Sequence, residues 1–281
     1  MTGKWTSLKN LGWAIGIAVC LLALVVGLVI ASVNRYSGDS FSSSTALTSE
    51  SVDGSGNVTE LTPSTSGGST GSLLTLPETN DAGQEYIDKL TFLCDSSFIG
   101  VRDYGLLAGG TGTYQVWGTD SGSLRVADLA SATIVYPSDG SSITIADAAM
   151  IAKPEILVIC VGQDGLNAVD EATFKTSYSA MITGIQSASP DTKIICCSIS
   201  SVIANYTGSD GLTTIMISDA NDWIREVCSA TNVYFIDSGK AVGDGTGAAL
   251  SSYLSSNGKT LNSSGINEVL SYLRTHALTT E

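Results

Sequence analysis

The stretch FLCDSSFIG, residues 92–100, runs a short apolar segment into Asp95 and Ser96, then into a second hydroxyl and a small-residue turn. A serine carried at the tip of a strand is placed as a nucleophile, but its hydroxyl attacks nothing until a neighbouring base removes the proton. Bases are scarce: the 281 residues include one histidine, His276. Two further clusters follow apolar runs or turns, Gly162-Gln163-Asp164-Gly165 and Asn257-Gly258-Lys259-Thr260. Ser96 also has a bland use as a helix N-cap, which Asp95 or Ser97 could equally supply. Gly258-Lys259-Thr260 imitates the end of a phosphate-binding loop, but Tyr253 stands where that loop needs its first glycine. GGTG at 109–112 and GDGTG at 243–247 read as turns.

Holding these clusters requires strands that end where they begin. Four apolar runs read as buried parallel strands: 89–95, 155–161, 193–199 and 232–238. Between them lie helical periods. Phe174, Tyr178, Met181, Ile182 and Ile185 recur at helical spacing after acidic Asp170 and Glu171 and stop before Pro190. Ile217, Ala220, Ile224 and Val227 mark a second helix. Ile266, Val269, Leu270 and Leu273 mark a third, after Asn262 and Ser263. Strand–helix alternation predicts a three-layer α/β/α fold on a parallel sheet, flavodoxin-like in plan. Ligands of such sheets bind beyond the carboxyl ends of the strands, where Asp95, Ser96, Gly162 and Asp164 fall.

Over residues 88–278 the block order resembles the SGNH (GDSL-like) hydrolases. The resemblance implies a Gly-Asp-Ser block with the nucleophile, and here Cys94-Asp95-Ser96 keeps the aspartate and serine but not the glycine. It implies a glycine whose N–H helps bind the oxyanion; Gly118 is the best candidate and Gly122 the next. It implies a Gly-x-Asn-Asp block, read here as Gly162-Gln163-Asp164-Gly165, with aspartate where the family has an oxyanion-donating asparagine. The family's closing block carries an aspartate that orients a histidine base. Gly258, Leu261, Asn262 and Gly265 fix the register and put Asn257 at the aspartate position and Thr260 at the histidine position. Threonine has no basic nitrogen, and asparagine cannot stabilise an imidazolium. His276 lies 16 residues beyond Thr260, about 24 Å along a helix axis.

Asp164 deepens the loss, because a carboxylate offers no donor to a developing oxyanion unless protonated. The expectation is therefore a pseudohydrolase whose cleft, lined by Asp95, Ser96, Gly118, Gly162, Asp164, Asn257 and Thr260, binds a glycan, acylated carbohydrate or peptide. The alternatives are an active serine esterase or carbohydrate deacetylase with a non-histidine base, and a structural module for surface assembly.

The rest of the chain bounds the setting. Twenty-seven acidic residues against 13 basic give a net charge of -14, which repels nucleic acid. Residues 11–33 hold no charge over 23 positions and would span roughly 34 Å as a helix, enough for a bilayer core. Lys4 and Lys9 before it against Arg35 after it orient residues 1–10 to the cytoplasm and residues 81–281 outside the cell membrane; a cleaved signal peptide is the alternative. Residues 34–80, rich in Ser, Thr and Gly and including LPETN at 76–80, read as a disordered linker. Five cysteines after the apolar segment, without C-x-x-C spacing, read as buried thiols, and neither metal nor cofactor is implied.

Overall fold

A computed structural model describes residues 74–278. In chain order the elements are β1 (Leu74–Thr75), α1 (Gly83–Ile87), β2 (Leu90–Cys94), α2 (Gly100–Asp103), β3 (Val116–Trp117), β4 (Thr133–Val135), β5 (Ser142–Thr144), α3 (Ile145–Ala152), β6 (Ile156–Cys160), α4 (Glu171–Ala188), β7 (Lys193–Cys197), α5 (Thr214–Thr231), β8 (Tyr234–Ile236) and α6 (Ser263–Arg274). Six strands form one sheet in the order β1-β8-β7-β6-β2-β3, with every pair parallel. The remaining two, β4 and β5, form a small antiparallel hairpin.

The four continuous apolar runs are the central strands because both of their faces are covered. Along β6 and the residue that follows it, Ile156, Val158 and Cys160 enter one core and Leu157, Ile159 and Val161 the other. The first core is closed by α1, α2 and α6 through Ile87, Val101, Ile266 and Leu270. The second is closed by α3, α4 and α5 through Ala148, Phe174, Tyr178 and Ile224. This is the three-layer α/β/α arrangement expected from the alternation of periods. Each long helix begins on a side-chain cap, Asp170 on Thr173 N–H for α4, Thr213 on Met216 N–H for α5 and Asn262 on Gly265 N–H for α6.

The folded unit begins ahead of residue 81. Leu74 and Thr75 pair with Tyr234 and Phe235 at the sheet edge, and Leu76 is buried with its N–H on Phe235 O. Thr79 N–H donates to Thr275 O. The part of LPETN assigned to the linker by its composition is thus held by edge pairing that no local pattern announces. The apolar span at 11–33 lies outside the described residues, and among the described residues no helix is long and apolar enough to cross a membrane. All five cysteines from Cys94 onward are buried free thiols.

Candidate functional site

Strand β2 ends at Cys94, and Asp95 N–H still donates to Cys160 O on β6. The chain then turns: Phe98 and Ile99 N–H return to Asp95 O. Ser96 is left half-buried at the carboxyl edge, while Asp95 points inward and is wholly buried.

Asp95 is a structural hub. Its Oδ2 accepts the successive N–H groups of Gly162, Gln163 and Asp164 at 2.9, 2.8 and 3.3 Å. Its Oδ1 accepts the Ser97 N–H and hydroxyl at 2.9 and 2.6 Å. The carboxylate therefore ties the turn after β2 to the turn after β6. Gly162 adopts φ +136°, and a Cβ there would meet Ile199 Cδ1 at 2.8 Å, so only glycine fits. Its N–H is spent on Asp95 and is not available to an oxyanion or ligand.

Asp164 occupies the position from which an oxyanion donor was expected, and it reverses the polarity. Its Oδ1 accepts the Ser96 hydroxyl at 2.5 Å. Its Oδ2 accepts two backbone N–H groups, from Ser96 at 3.1 Å and Leu124 at 3.0 Å. Two N–H groups converging on one oxygen beside a serine are the makings of an oxyanion hole, and here that point is filled by a side-chain carboxylate of the protein itself. Leu124 was not foreseen. Gly118 accepts Val135 N–H through its carbonyl, Gly122 N–H goes to Thr119 O, and both lie against Ile99, whose side chain a Cβ would strike at 2.6 and 2.8 Å. These glycines are needed for close packing. Nothing local in the sequence marks Leu124; the 3.0 Å contact arises because Val126 N–H pairs with Asp164 O and draws the segment alongside.

Two carboxylates in one buried neighbourhood affect each other. Burial, and then the charge of Asp164, push Asp95 up to about 6, against the N–H and O–H donors of Ser97 and Gln163.

The closing block lies beside the site, with Leu261 N–H reaching Ser97 O at 3.4 Å and Gln163 Nε2 reaching Lys259 O at 3.4 Å. Asn257 is exposed and Thr260 half-buried, and they bind each other: Asn257 Nδ2 donates to Thr260 Oγ1 at 3.0 Å, and Asn257 Oδ1 accepts Thr260 N–H at 3.1 Å. They hold a turn and supply no base. Lys259 donates to Asp210 at 2.8 Å. Burial alone would lower its pKa, but Asp210, with Tyr206 and Asp164 behind it, raises the pKa and keeps the ammonium charged. His276 lies past the far end of α6, stacked on Tyr272 at 3.8 Å with Nδ1 on Tyr272 O at 2.9 Å.

What the geometry defines is a serine-hydrolase-type site at the carboxyl edge of a parallel α/β sheet, its serine hydrogen-bonded to a carboxylate. The model of the GDSL-like lipase/acylhydrolase family matches residues 110–262, more than half of the chain, and the protein belongs to that family. Ser96 precedes the matched stretch; Asp164, Asn257 and Thr260 lie inside it. No curated protein matches the sequence. Among solved structures, a GDSL-like lipase from Bacteroides thetaiotaomicron is similar at 14% identity over 70% of this chain and 88% of its own, with a TM-score of 0.47. A carbohydrate esterase of family 3 from Talaromyces cellulolyticus is similar at 17% identity over 66% of this chain and 92% of its own, with a TM-score of 0.40.

Proposed function

We propose that the protein is a pseudohydrolase: a membrane-anchored, extracytoplasmic member of its family that binds a cell-surface or extracellular glycan or peptide without cleaving it. The observation that carries this reading is Asp164. Hydrolysis of an ester needs a base for the Ser96 proton and N–H donors free to meet the developing oxyanion. Asp164 Oδ2 takes the two convergent N–H groups, and its charge opposes the intermediate. Carboxylates are ordinarily weaker bases than imidazole. The 23-residue uncharged span supports the anchor, and the charge bias around it supports the outward domain.

A second reading rests on the same 2.5 Å contact between Ser96 and Asp164: an esterase or carbohydrate deacetylase in which Asp164 accepts the serine proton. One assay separates the two. The full chain in detergent is offered a short-chain aryl ester and an acetylated sugar, beside Ser96→Ala. No difference between the two proteins is expected; turnover that disappears with Ser96 establishes the enzyme.

A further inference from the structure

A second opening lies along the same sheet edge, beyond the ends of β7 and β8. It is a cavity of about 450 Å³ between α5 and the glycine-rich turn 243–249, within the range of about 300–1,000 Å³ typical of small-molecule sites. We propose that this cavity, and not the cleft at Ser96, is the seat of the ligand, and that the ligand is a neutral saccharide of one or two rings. The inference rests on the pseudohydrolase reading for the presence of a glycan and adds where it binds and of what kind it is.

The wall is built from rigid polar groups. Arg225 is fixed from three sides: Nη1 donates to Asp222 at 2.5 Å, Nη2 to Asp237 at 3.3 Å, and the guanidinium lies 4.8 Å over the Phe235 ring. Lys240 Nζ meets the same Asp237 oxygen at 3.1 Å, and its side chain is 70% exposed. An ion pair that open is weak because solvent screens it, so the ammonium can leave it for a ligand hydroxyl. Asn221 spends both ends of its amide on Ile199, at 2.7 and 3.1 Å, and so fixes the floor. Ser201 contributes a hydroxyl that is closed to solvent and has no partner among the described residues, which leaves a hydrogen bond for a ligand to make.

The opposite rim consists of backbone. Gly243, Gly245 and Gly247 all line the cavity, and Gly245 and Gly247 have φ of +81° and +103° with open space where a Cβ would stand. Asp244 fixes the turn by accepting Thr246 N–H at 2.7 Å, the Thr246 hydroxyl at 2.8 Å and Ala248 N–H at 3.3 Å. Glycines in a pinned turn bring peptide groups to a ligand with no side chain between.

The charge balance selects the class. Arg225 and Lys240 line the cavity with one carboxylate, Asp237; Asp222 stands outside the lining but pairs with Arg225, so each cation already has an acidic partner and the charges cancel. An anion would meet Asp237, and a metal cation would meet Arg225 and Lys240. Interleaved donors and acceptors of no net charge suit the hydroxyl pairs of a neutral sugar, each of which both gives and takes hydrogen bonds.

The test uses the full chain in detergent against a printed panel of neutral, N-acetylated, uronate-bearing and phosphate-bearing mono- and disaccharides, with hits followed by calorimetry. Binding confined to neutral or N-acetylated sugars is expected. Ser218→Trp, at an exposed α5 position on the cavity wall, should weaken it at least tenfold with the melting temperature kept. Ser201→Ala should weaken it about threefold or more while leaving stability equal or higher, a combination that a merely structural hydroxyl does not give. Preference for the acidic sugars, or no binding by any of them, overturns the inference. Retention in Ser218→Trp with loss in Thr260→Trp also overturns it, by placing the sugar at Ser96 and leaving the pseudohydrolase reading intact. That reading fails by a different readout, Ser96-dependent ester turnover.

Discussion

Asp164 holds both ends of Ser96, its hydroxyl at 2.5 Å through Oδ1 and its N–H at 3.1 Å through Oδ2. The atom that would attack and a donor that would steady the product of attack are satisfied by one side chain. On the pseudohydrolase reading, replacing a single residue of this arrangement therefore restores only one of the parts that ester hydrolysis needs.

Asp164→Asn returns a donor to the hole but provides no base, so aryl-ester hydrolysis should stay at background. Adding Asn257→Asp and Thr260→His places a carboxylate and an imidazole on the turn that already touches Ser97 through Leu261. General-base catalysis is ordinarily worth about 10²–10⁴-fold, so the triple variant should rise by roughly 10² or more. Ser96→Ala in that background should abolish the gain. A gain that survives the loss of Ser96 means that the turn does not present these residues to the serine.

Asp95 carries fold stability. Asn at this position keeps the volume but turns an NH2 group toward N–H or O–H donors whichever way it is flipped, because both oxygens are engaged. An unsatisfied buried donor costs about 1–3 kcal/mol, and more than one is created. Asp95→Asn should lower the urea unfolding free energy by about 3 kcal/mol or more. A loss under 1 kcal/mol contradicts the hub.

The same carboxylate sets a pH dependence. Its folded pKa, raised to about 6 from an ordinary value of 3.8 by burial and then by Asp164, means that the folded state holds this proton more tightly than the unfolded chain. The resulting stability is fully present below pH 4 and is lost as pH rises through 6, by at most about 3 kcal/mol at ~1.4 kcal/mol per unit. In Asp164→Asn the charge contribution to the rise is gone, and the loss between pH 4 and 6.5 should shrink. Urea titrations of both proteins at several pH values decide it; equal slopes remove Asp164 from the cause.

How much of this could be read from residues alone follows from where the information lies. Runs such as 155–161 carry their own signature, since a strand buried on both faces is apolar throughout, and Asp170 and Asn262 mark helix starts by residue type, whereas the Thr213 cap emerges only from the structure. β1 and β3 are two residues each and exist only through their partners, so no local pattern reveals them. The site divides the same way. Ser96, Asp164, Asn257 and Thr260 were legible from block order, and the structure brings Ser96 and Asp164 into contact. The N–H of Leu124 was not legible, because a backbone donor leaves no mark on residue type. Gly122 shows the converse: its N–H is spent on Thr119 O, and a glycine spared a clash with Ile99 reads the same as one freeing an N–H.

Gly265 offers the sharpest contest between local preference and packing. It is the third residue of α6, where alanine would gain about 1 kcal/mol in helix propensity. A Cβ there, however, would stand 2.3 Å from Tyr253 O and 3.0 Å from Leu261 Cδ2. The Tyr253 carbonyl cannot retreat freely, because it accepts Asn262 N–H at 3.0 Å, and Asn262 Nδ2 is itself held by Ser252 O and Leu254 O. Overpacking against backbone costs about 1–3 kcal/mol and occasionally more, so the clash should win. Gly265→Ala is expected to lose at least about 2 kcal/mol in urea unfolding, while Ser264→Ala, one residue earlier and exposed, should stay within about 0.5 kcal/mol. A Gly265→Ala protein more stable than the parent would mean that α6 does not rest on the Tyr253 carbonyl, and that the turn bearing Asn257 and Thr260 is not anchored where it is described.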